Sequence, residues 1–286
     1  MSTPETQARI ASFEHDGLVF DVLDSGPLDG PVVVLLHGFP ERASSWSRVS
    51  ALLNEHGLRT IAPDQRGYSP RARPRGRAAY GMSRLVGDVL ALIDEVGVPV
   101  HLVGHDWGAA VAWTTAARRP DRVLTLTAVS VPHPAAFLRS LLSSRQALKS
   151  WYFLLFQIPG LVELIARRFP RVLARGLRGS GMTAADVDRF HSGVVAYGAL
   201  SGGLGWYRGL PFSAPGGVRR RVSVPTTHVW SDGDTALTRR GAELSAAYVS
   251  APYELVVLTG VSHWVPTQAP AELAAAVLAR VTGSRP

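Results

Sequence analysis

Asp106 stands in the segment Gly104-His105-Asp106-Trp107-Gly108, between Val100 to Val103, which reads as a buried strand, and Trp107 to Arg118, which reads as a helix. Small residues two places before and two places after the central position suit a sharp strand-to-helix turn, since larger side chains there would collide with neighbouring backbone. Such a turn lifts its central side chain above the sheet, and the helix N-terminus beneath it favours negative charge. A carboxylate in that position attacks acyl carbon poorly but can displace at an alkyl carbon. The product is an alkyl ester of the protein itself, which water must then hydrolyse. Strained epoxides and carbon–halogen bonds are open to such attack. Asp is also a favoured helix N-cap, a role that needs no catalysis.

Partners for that carboxylate occur later in the chain. His263 lies in Thr259-Gly260-Val261-Ser262-His263-Trp264, after a strand candidate ending near Leu258. Asp232 and Asp234 follow another strand candidate, Thr226 to Trp230. The order nucleophile, acid, histidine places all three on loops at one edge of a parallel sheet. A neutral imidazole there can activate water, while the acid fixes its tautomer and stabilises the imidazolium. His37-Gly38-Phe39-Pro40-Glu41 follows the apolar run Val32 to Leu36. The Phe39 and Trp107 amides are candidates for an oxyanion hole, although a Gly-Pro turn also serves as an ordinary connection.

The elements that must position these groups alternate. Strand candidates at Val32 to Leu36, Leu58 to Ala62, Pro99 to Val103, Val123 to Val129, Thr226 to Trp230 and Glu254 to Leu258 are separated by helical stretches at Ser45 to His56, Ser83 to Val96, Trp107 to Arg118 and Arg239 to Val249. A last helix runs from Pro270 to Val281, and residues 11 to 24 can add an antiparallel hairpin at one edge. Alternation of this kind predicts an α/β fold with a mostly parallel sheet flanked by helices. One stretch breaks it. Between His133 and Gly217 there is helical and turn-like sequence rich in aromatics, with helices expected at Leu148 to Gln157, Leu161 to Phe169 and Ala184 to Tyr197. The expected organisation is therefore a core in two parts, residues 1–132 and 218–286, with a helical cap over residues 133–217. A cap inserted there covers the carboxyl ends of the strands, where open α/β sheets bind ligands.

Composition narrows the classes. The chain has 286 residues, 46% of them hydrophobic and 18% charged, which is enough apolar sequence for a sizeable core and argues against disorder. No apolar run approaches the roughly 18–20 residues of a membrane span, so membrane insertion is not expected. The segment Met1 to Ile10 has no basic-then-apolar leader layout, and a cytoplasmic protein is the expectation. The absence of Cys excludes disulfides and thiolate-bound metals. The nine histidines show no paired metal-ligand spacing and no Gly-rich loop has a phosphate-site context, so neither metal nor cofactor is expected. A net charge of +8 raises nucleic-acid binding. The arginines are scattered, however, and the clusters at Arg71 to Arg77 and Arg219 to Arg221 carry no interleaved aromatics, so no nucleic-acid partner is expected.

Across essentially its full length the chain resembles the epoxide hydrolases of the α/β-hydrolase superfamily. The resemblance rests on His37-Gly38-Phe39-Pro40-Glu41, Asp64-Gln65-Arg66-Gly67-Tyr68-Ser69 and Gly104-His105-Asp106-Trp107-Gly108-Ala109. It implies that Asp106 is the nucleophile, Asp234 rather than Asp232 the acid and His263 the base, with Asp64 and Arg66 shaping their loop. It also implies that Tyr152, ahead of Phe156-Gln157-Ile158-Pro159-Gly160, and Tyr207, in Trp206-Tyr207-Arg208, hold the epoxide oxygen. A phenol suits that task, because ring opening puts negative charge on oxygen. His37, Pro40, Trp151, Phe156, Trp206 and Trp264 are the expected substrate-binding residues. The implied partners are a small apolar epoxide and water, in a monomer or homodimer. Ser231, where relatives often carry Gly, departs from the pattern without touching the chemistry. Two other readings are a haloalkane or haloacid dehalogenase and a non-catalytic ligand-binding protein on the same fold. Against the first, Phe39 stands where many haloalkane dehalogenases have Asn, and Trp107 where fluoroacetate dehalogenases have Arg.

Overall fold

A computed structural model describes residues 8–213 and 218–283. Its organising element is one sheet of eight strands. The two N-terminal strands, β1 (Ser12–His15) and β2 (Leu18–Ser25), form the edge hairpin, turning at Asp16 and Gly17 with φ of 52° and 71°. Then come β3 (Val32–Leu36), helix α1 (Ser47–Glu55), β4 (Arg59–Pro63), α2 (Met82–Val96), β5 (Val100–His105), α3 (Trp107–Arg118) and β6 (Val123–Val129). The sheet order is β1-β2-β4-β3-β5-β6-β7-β8, with β7 and β8 described below; it is antiparallel as far as the β2–β4 pair and parallel beyond it.

Central strands show why continuous apolar runs were needed. In β3 all five residues are buried, yet they divide by alternation: Val32, Val34 and Leu36 join a core with α2 and α3, whereas Val33 and Leu35 join a second core with α1 and the C-terminal helix. The α2 helix ends where Gly97 adopts φ 79°, the left-handed residue that closes many helices. The helix expected from residue 45 begins instead as a 3-10 turn, Ala43–Trp46, that runs into α1.

Between β6 and the next strand the described residues hold helices: α4 (Pro134–Ser143), α5 (Gln146–Lys149), α6 (Tyr152–Phe156), α7 (Leu161–Arg168), α8 (Pro170–Gly179), α9 (Ala184–Phe190) and α10 (Leu200–Arg208). The helix anticipated over residues 184 to 197 is α9, started by a capping box between Thr183 and Asp186, followed by a π-helical turn at His191–Ala196. Residues 214–217, where the insert was expected to end, lie outside the described residues, as do residues 1–7 of the expected leaderless N-terminus. The chain then returns through β7 (Thr226–Gly233), α11 (Arg239–Ser245), β8 (Tyr253–Ser262), α12 (Val265–Gln268) and α13 (Pro270–Thr282). Since β7 pairs directly with β6, the helical insert leaves and re-enters the sheet at neighbouring strands.

Candidate active site

β3 and β5 are parallel neighbours, with Leu36 paired to Gly104, so the loops leaving their carboxyl ends meet. Asp106 sits at the junction of β5 and α3 with φ 52° and ψ −121°, a backbone that non-glycine residues seldom adopt and that costs about 1–3 kcal/mol. The surroundings enforce it. A Cβ at Gly104 would strike the Gly108 carbonyl, one at Gly108 would strike the Leu36 carbonyl, and one at Gly38 would strike the Asp106 side chain. The last contact shows how closely the loop after β3 approaches the carboxylate. From that loop the Phe39 amide donates to Asp106 Oδ1 at 2.8 Å. Trp107 opens α3, so its amide is among those with no acceptor inside the helix.

His263, at the end of β8, places Nε2 3.5 Å from Asp106 Oδ2 and Nδ1 2.8 Å from Asp234 Oδ2. The second oxygen of Asp234 accepts from the Ala236 and Leu237 amides at 2.7 and 2.8 Å, which leaves the acid little freedom. Asp232 points elsewhere and accepts from the Gly260 amide at 2.8 Å. The main chain of His263 is held as well: its carbonyl accepts from His105 Nε2 at 2.9 Å and from Ser130 Oγ at 3.2 Å.

Burial disfavours a charged imidazole, but here the negative charge of Asp234 and hydrogen bonds to Asp106 and Asp234 prevail, and the His263 pKa is pushed up to about 10. Burial also acts against the Asp234 carboxylate, and the His263 charge outweighs it, holding the acid below its ordinary range. The His263 ring thus lies between the Asp106 and Asp234 carboxyl groups, in surroundings that favour its charged form.

Two phenols face this arrangement from the insert. Tyr152 opens α6 and Tyr207 lies on α10, their ring centroids 6.1 Å apart. Tyr207 packs edge-on to Trp107 at 5.0 Å and to Phe39 at 5.4 Å, so it rests on the residues that carry the two amides. Burial first, then the nearby Asp106 charge, pushes both phenols well above their ordinary value, so both stay protonated. The two segments bearing them are tied together. Gln157 Nε2 donates to the Tyr207 carbonyl at 2.7 Å, and Arg208 Nε to the Phe156 carbonyl at 2.9 Å. Arg208 also grips Glu163 through two bonds of 2.7 and 3.0 Å.

Asp106, Trp107, Tyr152 and Tyr207 line one cavity of about 430 Å³. Along α3 its lining continues through Ala110, Thr114 and Arg118, a four-residue repeat that carries on from Asp106 and was readable as one helix face. Phe137 and Phe153 complete its apolar walls. None of the six residues expected to bind substrate is among those that line the cavity. His37 is fully buried, donating from Nδ1 to the Gly38 carbonyl at 3.0 Å and accepting from the Gln65 amide at Nε2 at 3.0 Å. Pro40 follows a cis peptide bond and is buried beneath the loop. Trp206 donates to the Arg66 carbonyl at 2.6 Å, in the loop that Arg66 itself braces through its bonds to Asp88. Trp264 stands edge-on behind His263 at 5.0 Å, and Phe156 packs on Phe39 and Tyr207 at 5.5 and 4.8 Å. Trp151 is 63% exposed on the outer side of the insert.

Known proteins with the same architecture were found by sequence and by structure. A family model described as alpha/beta hydrolase fold matches residues 31–270. Epoxide hydrolase A of Mycobacterium tuberculosis is 32% identical, over 94% of this chain and 96% of that protein. A solved structure from work on novel epoxide hydrolases in metagenomes from hot environments superposes with a TM-score of 0.83 at 31% identity, covering 96% of this chain and 98% of the other. A mutant epoxide hydrolase from Bacillus megaterium, complexed with its product, a naphthyloxy-propane-1,2-diol, has a TM-score of 0.81 at 26% identity, covering 95% and 99%. By the family model over most of its length, and by relatives that match it almost end to end, the chain belongs to the α/β-hydrolase fold family.

Proposed function

We propose that this protein is an epoxide hydrolase that forms a hydroxyalkyl ester on Asp106 and hydrolyses it to a vicinal diol. The observation that carries this reading is the facing of a carboxylate and two protonated phenols across one apolar cavity. The nucleophile attacks from the core side while both potential oxygen ligands stand on the insert, as in-line opening of a three-membered ring requires. The relatives named above as epoxide hydrolases support it.

An epoxide binds with its oxygen between the Tyr152 and Tyr207 hydroxyls. Asp106 Oδ2, free of the Phe39 amide, attacks a ring carbon; the carbon–oxygen bond breaks and the oxygen takes a proton from a tyrosine. Esterification removes one of the two carboxylates that hold the His263 proton, so the imidazolium then gives that proton up more readily, and the deprotonated tyrosine is the nearby group short of one. Neutral His263, kept in its Nδ1–H tautomer by Asp234, deprotonates a water that attacks the ester carbonyl carbon. The Phe39 amide, already on Oδ1, and the Trp107 amide stabilise the oxyanion before the diol departs. The insert of residues 133–217 acts as the cap, and the cavity walls suit an apolar substituent on the epoxide. A haloalkane would find the nucleophile and the histidine, but its departing halide is a stable anion that needs no proton from a phenol.

The direct test is a single turnover in ¹⁸O-water with enzyme in excess over an aryl glycidyl ether. The label is expected in the Asp106 carboxylate, with the first-turnover diol unlabelled. Label in the first diol and none in the protein would mean that water opens the ring directly. No diol from any epoxide, together with halide release from haloalkanes, would replace the reading with dehalogenation.

A further inference from the structure

Among the described residues, the insert carries a run of exposed apolar side chains beside unpaired arginines. Helices α4 to α8 present Leu142, Leu148, Leu154, Leu164, Phe169 and Val172, each more than half exposed and the first of them 94% exposed. Single exposed apolar residues are ordinary, whereas a succession across neighbouring helices marks a contact surface. Among these side chains lie Arg139, Arg145, Arg167, Arg168, Arg171, Arg175 and Arg178, all exposed, and among the described residues none of the seven pairs with a carboxylate. The one acid from residue 138 to 178 is Glu163, which Arg208 occupies. Residues 133–217 contain ten basic and three acidic side chains, so seven of the eight net positive charges belong to the insert.

Charge decides which occupant fits. A second copy docked about a two-fold axis would lay this face against itself and bury like charges together. An anionic surface neutralises them. The helices here are short, from four residues in α5 to ten in α8, and each of α4 to α7 carries an exposed Leu. Exposed Leu and Phe flanked by Arg suit the boundary between lipid headgroups and acyl chains, where the apolar tips insert and the guanidinium groups remain at the phosphates. No single described helix is long and apolar enough to cross a membrane, and the one pair that is so in combination, Gln146–Phe156 with Leu161–Arg168, bends by 84° at its break. The face also adjoins the catalytic cavity: Leu138 is 51% exposed and lines it, and Leu142 lies one turn further along α4.

We infer that the outer face of the insert docks the protein peripherally on bilayers containing anionic lipid, with the cavity rim at the membrane surface, where apolar substrates accumulate. The test needs no turnover, so it stands apart from the reading of the chemistry. The full chain is floated with vesicles of phosphatidylcholine alone and of phosphatidylcholine with phosphatidylglycerol, at low salt and at about 1 M salt, where screening acts over ~3 Å. Binding is expected on the anionic vesicles at low salt, with roughly tenfold weaker partition on neutral vesicles, in high salt, or in the triple variant Arg171→Gln, Arg175→Gln, Arg178→Gln. Leu148→Ser with Leu154→Ser is expected to weaken binding as well, while thermal unfolding and turnover of a water-soluble epoxide show that these variants still fold. No binding to anionic vesicles would overturn the inference, as would binding that the arginine variant leaves unchanged. A dimer in sedimentation velocity that the leucine variant dissolves, without vesicle binding, would assign the face to a second copy.

Discussion

The turn that carries Asp106 and the insert that carries Tyr152 and Tyr207 contribute to one cavity by opposite means. Around Asp106 position comes from close approach: two glycines whose missing Cβ atoms let backbone meet backbone, a third that leaves room for the carboxylate itself, and a residue held at positive φ. Around the tyrosines it comes from side-chain bonds, Gln157 to the Tyr207 carbonyl and Arg208 to Glu163 and the Phe156 carbonyl. Close packing tolerates almost no displacement of the nucleophile. In the insert, hydrogen bonds instead tie one short helix to another. On the proposed mechanism the core fixes the carboxylate that forms the ester, and the insert holds the oxygen that departs.

Substitutions that separate the two steps test this division. Asp106→Asn is expected to remove diol formation by about four orders of magnitude or more, since nothing else can form the ester. His263→Gln should allow ring opening but slow ester hydrolysis by about 10³-fold or more, and intact-protein mass spectrometry should show the substrate mass retained on the protein. A lesion in the insert should invert that pattern: Tyr152→Phe with Tyr207→Phe is expected to slow alkylation by about 10²–10⁴-fold while an ester, once formed, is hydrolysed normally. Equal losses in both steps for either variant would erase the distinction between the regions.

Stability should divide the same way. Gly108→Ala drives a methyl into the Leu36 carbonyl and is expected to cost about 3 kcal/mol in urea unfolding, above the usual range for a surface change. Glu163→Gln should have the smallest effect, and a pH-dependent one. Burial favours the neutral acid, but the Arg208 hydrogen bond prevails and holds the Glu163 pKa below its ordinary 4.5. Its stabilisation is therefore complete above pH 4.5 and lost as pH falls through the lower folded value. The difference in melting temperature between wild type and Glu163→Gln should shrink over that interval, and a constant difference would remove the ion pair from the account.

What could be read in advance follows the same line. A parallel strand buried on both faces shows itself most plainly as a continuous apolar run, so β3 was recognisable outright; β5, β6 and β7, interrupted by His and Thr, were recognisable as short β-rich segments between helices, and the glycine spacing around Asp106 was plain as well. In the insert the pattern is weaker. Helix α8 was not expected, because three arginines and glycines at 176 and 179 leave no long apolar run over Pro170–Gly179. Trp151, Tyr152 and Phe153 show a second limit. Consecutive helical residues point about 100° apart, and which of three aromatics faces inward depends on how α6 docks. Trp151 faces out, and Phe153 lines the cavity. Gln157 and Arg208 stood within segments singled out for their tyrosines, but that one segment grips the other is a tertiary fact.

The pairing of β6 with β7 also bears on how such a protein can change. Because β6 and β7 are parallel, the chain leaves at the carboxyl end of β6 and crosses back to enter β7 at Thr226, the partner of Leu126. A crossover of this kind can carry a longer or shorter insert at little entropic cost, roughly 0.6 kcal/mol for each doubling of a flexible loop. The sheet and its nucleophile need not respond. Selectivity can then be revised by exchanging whole inserts, and on the proposed mechanism a chimaera takes its carboxylate and histidine from one parent and its phenols and cavity walls from the other.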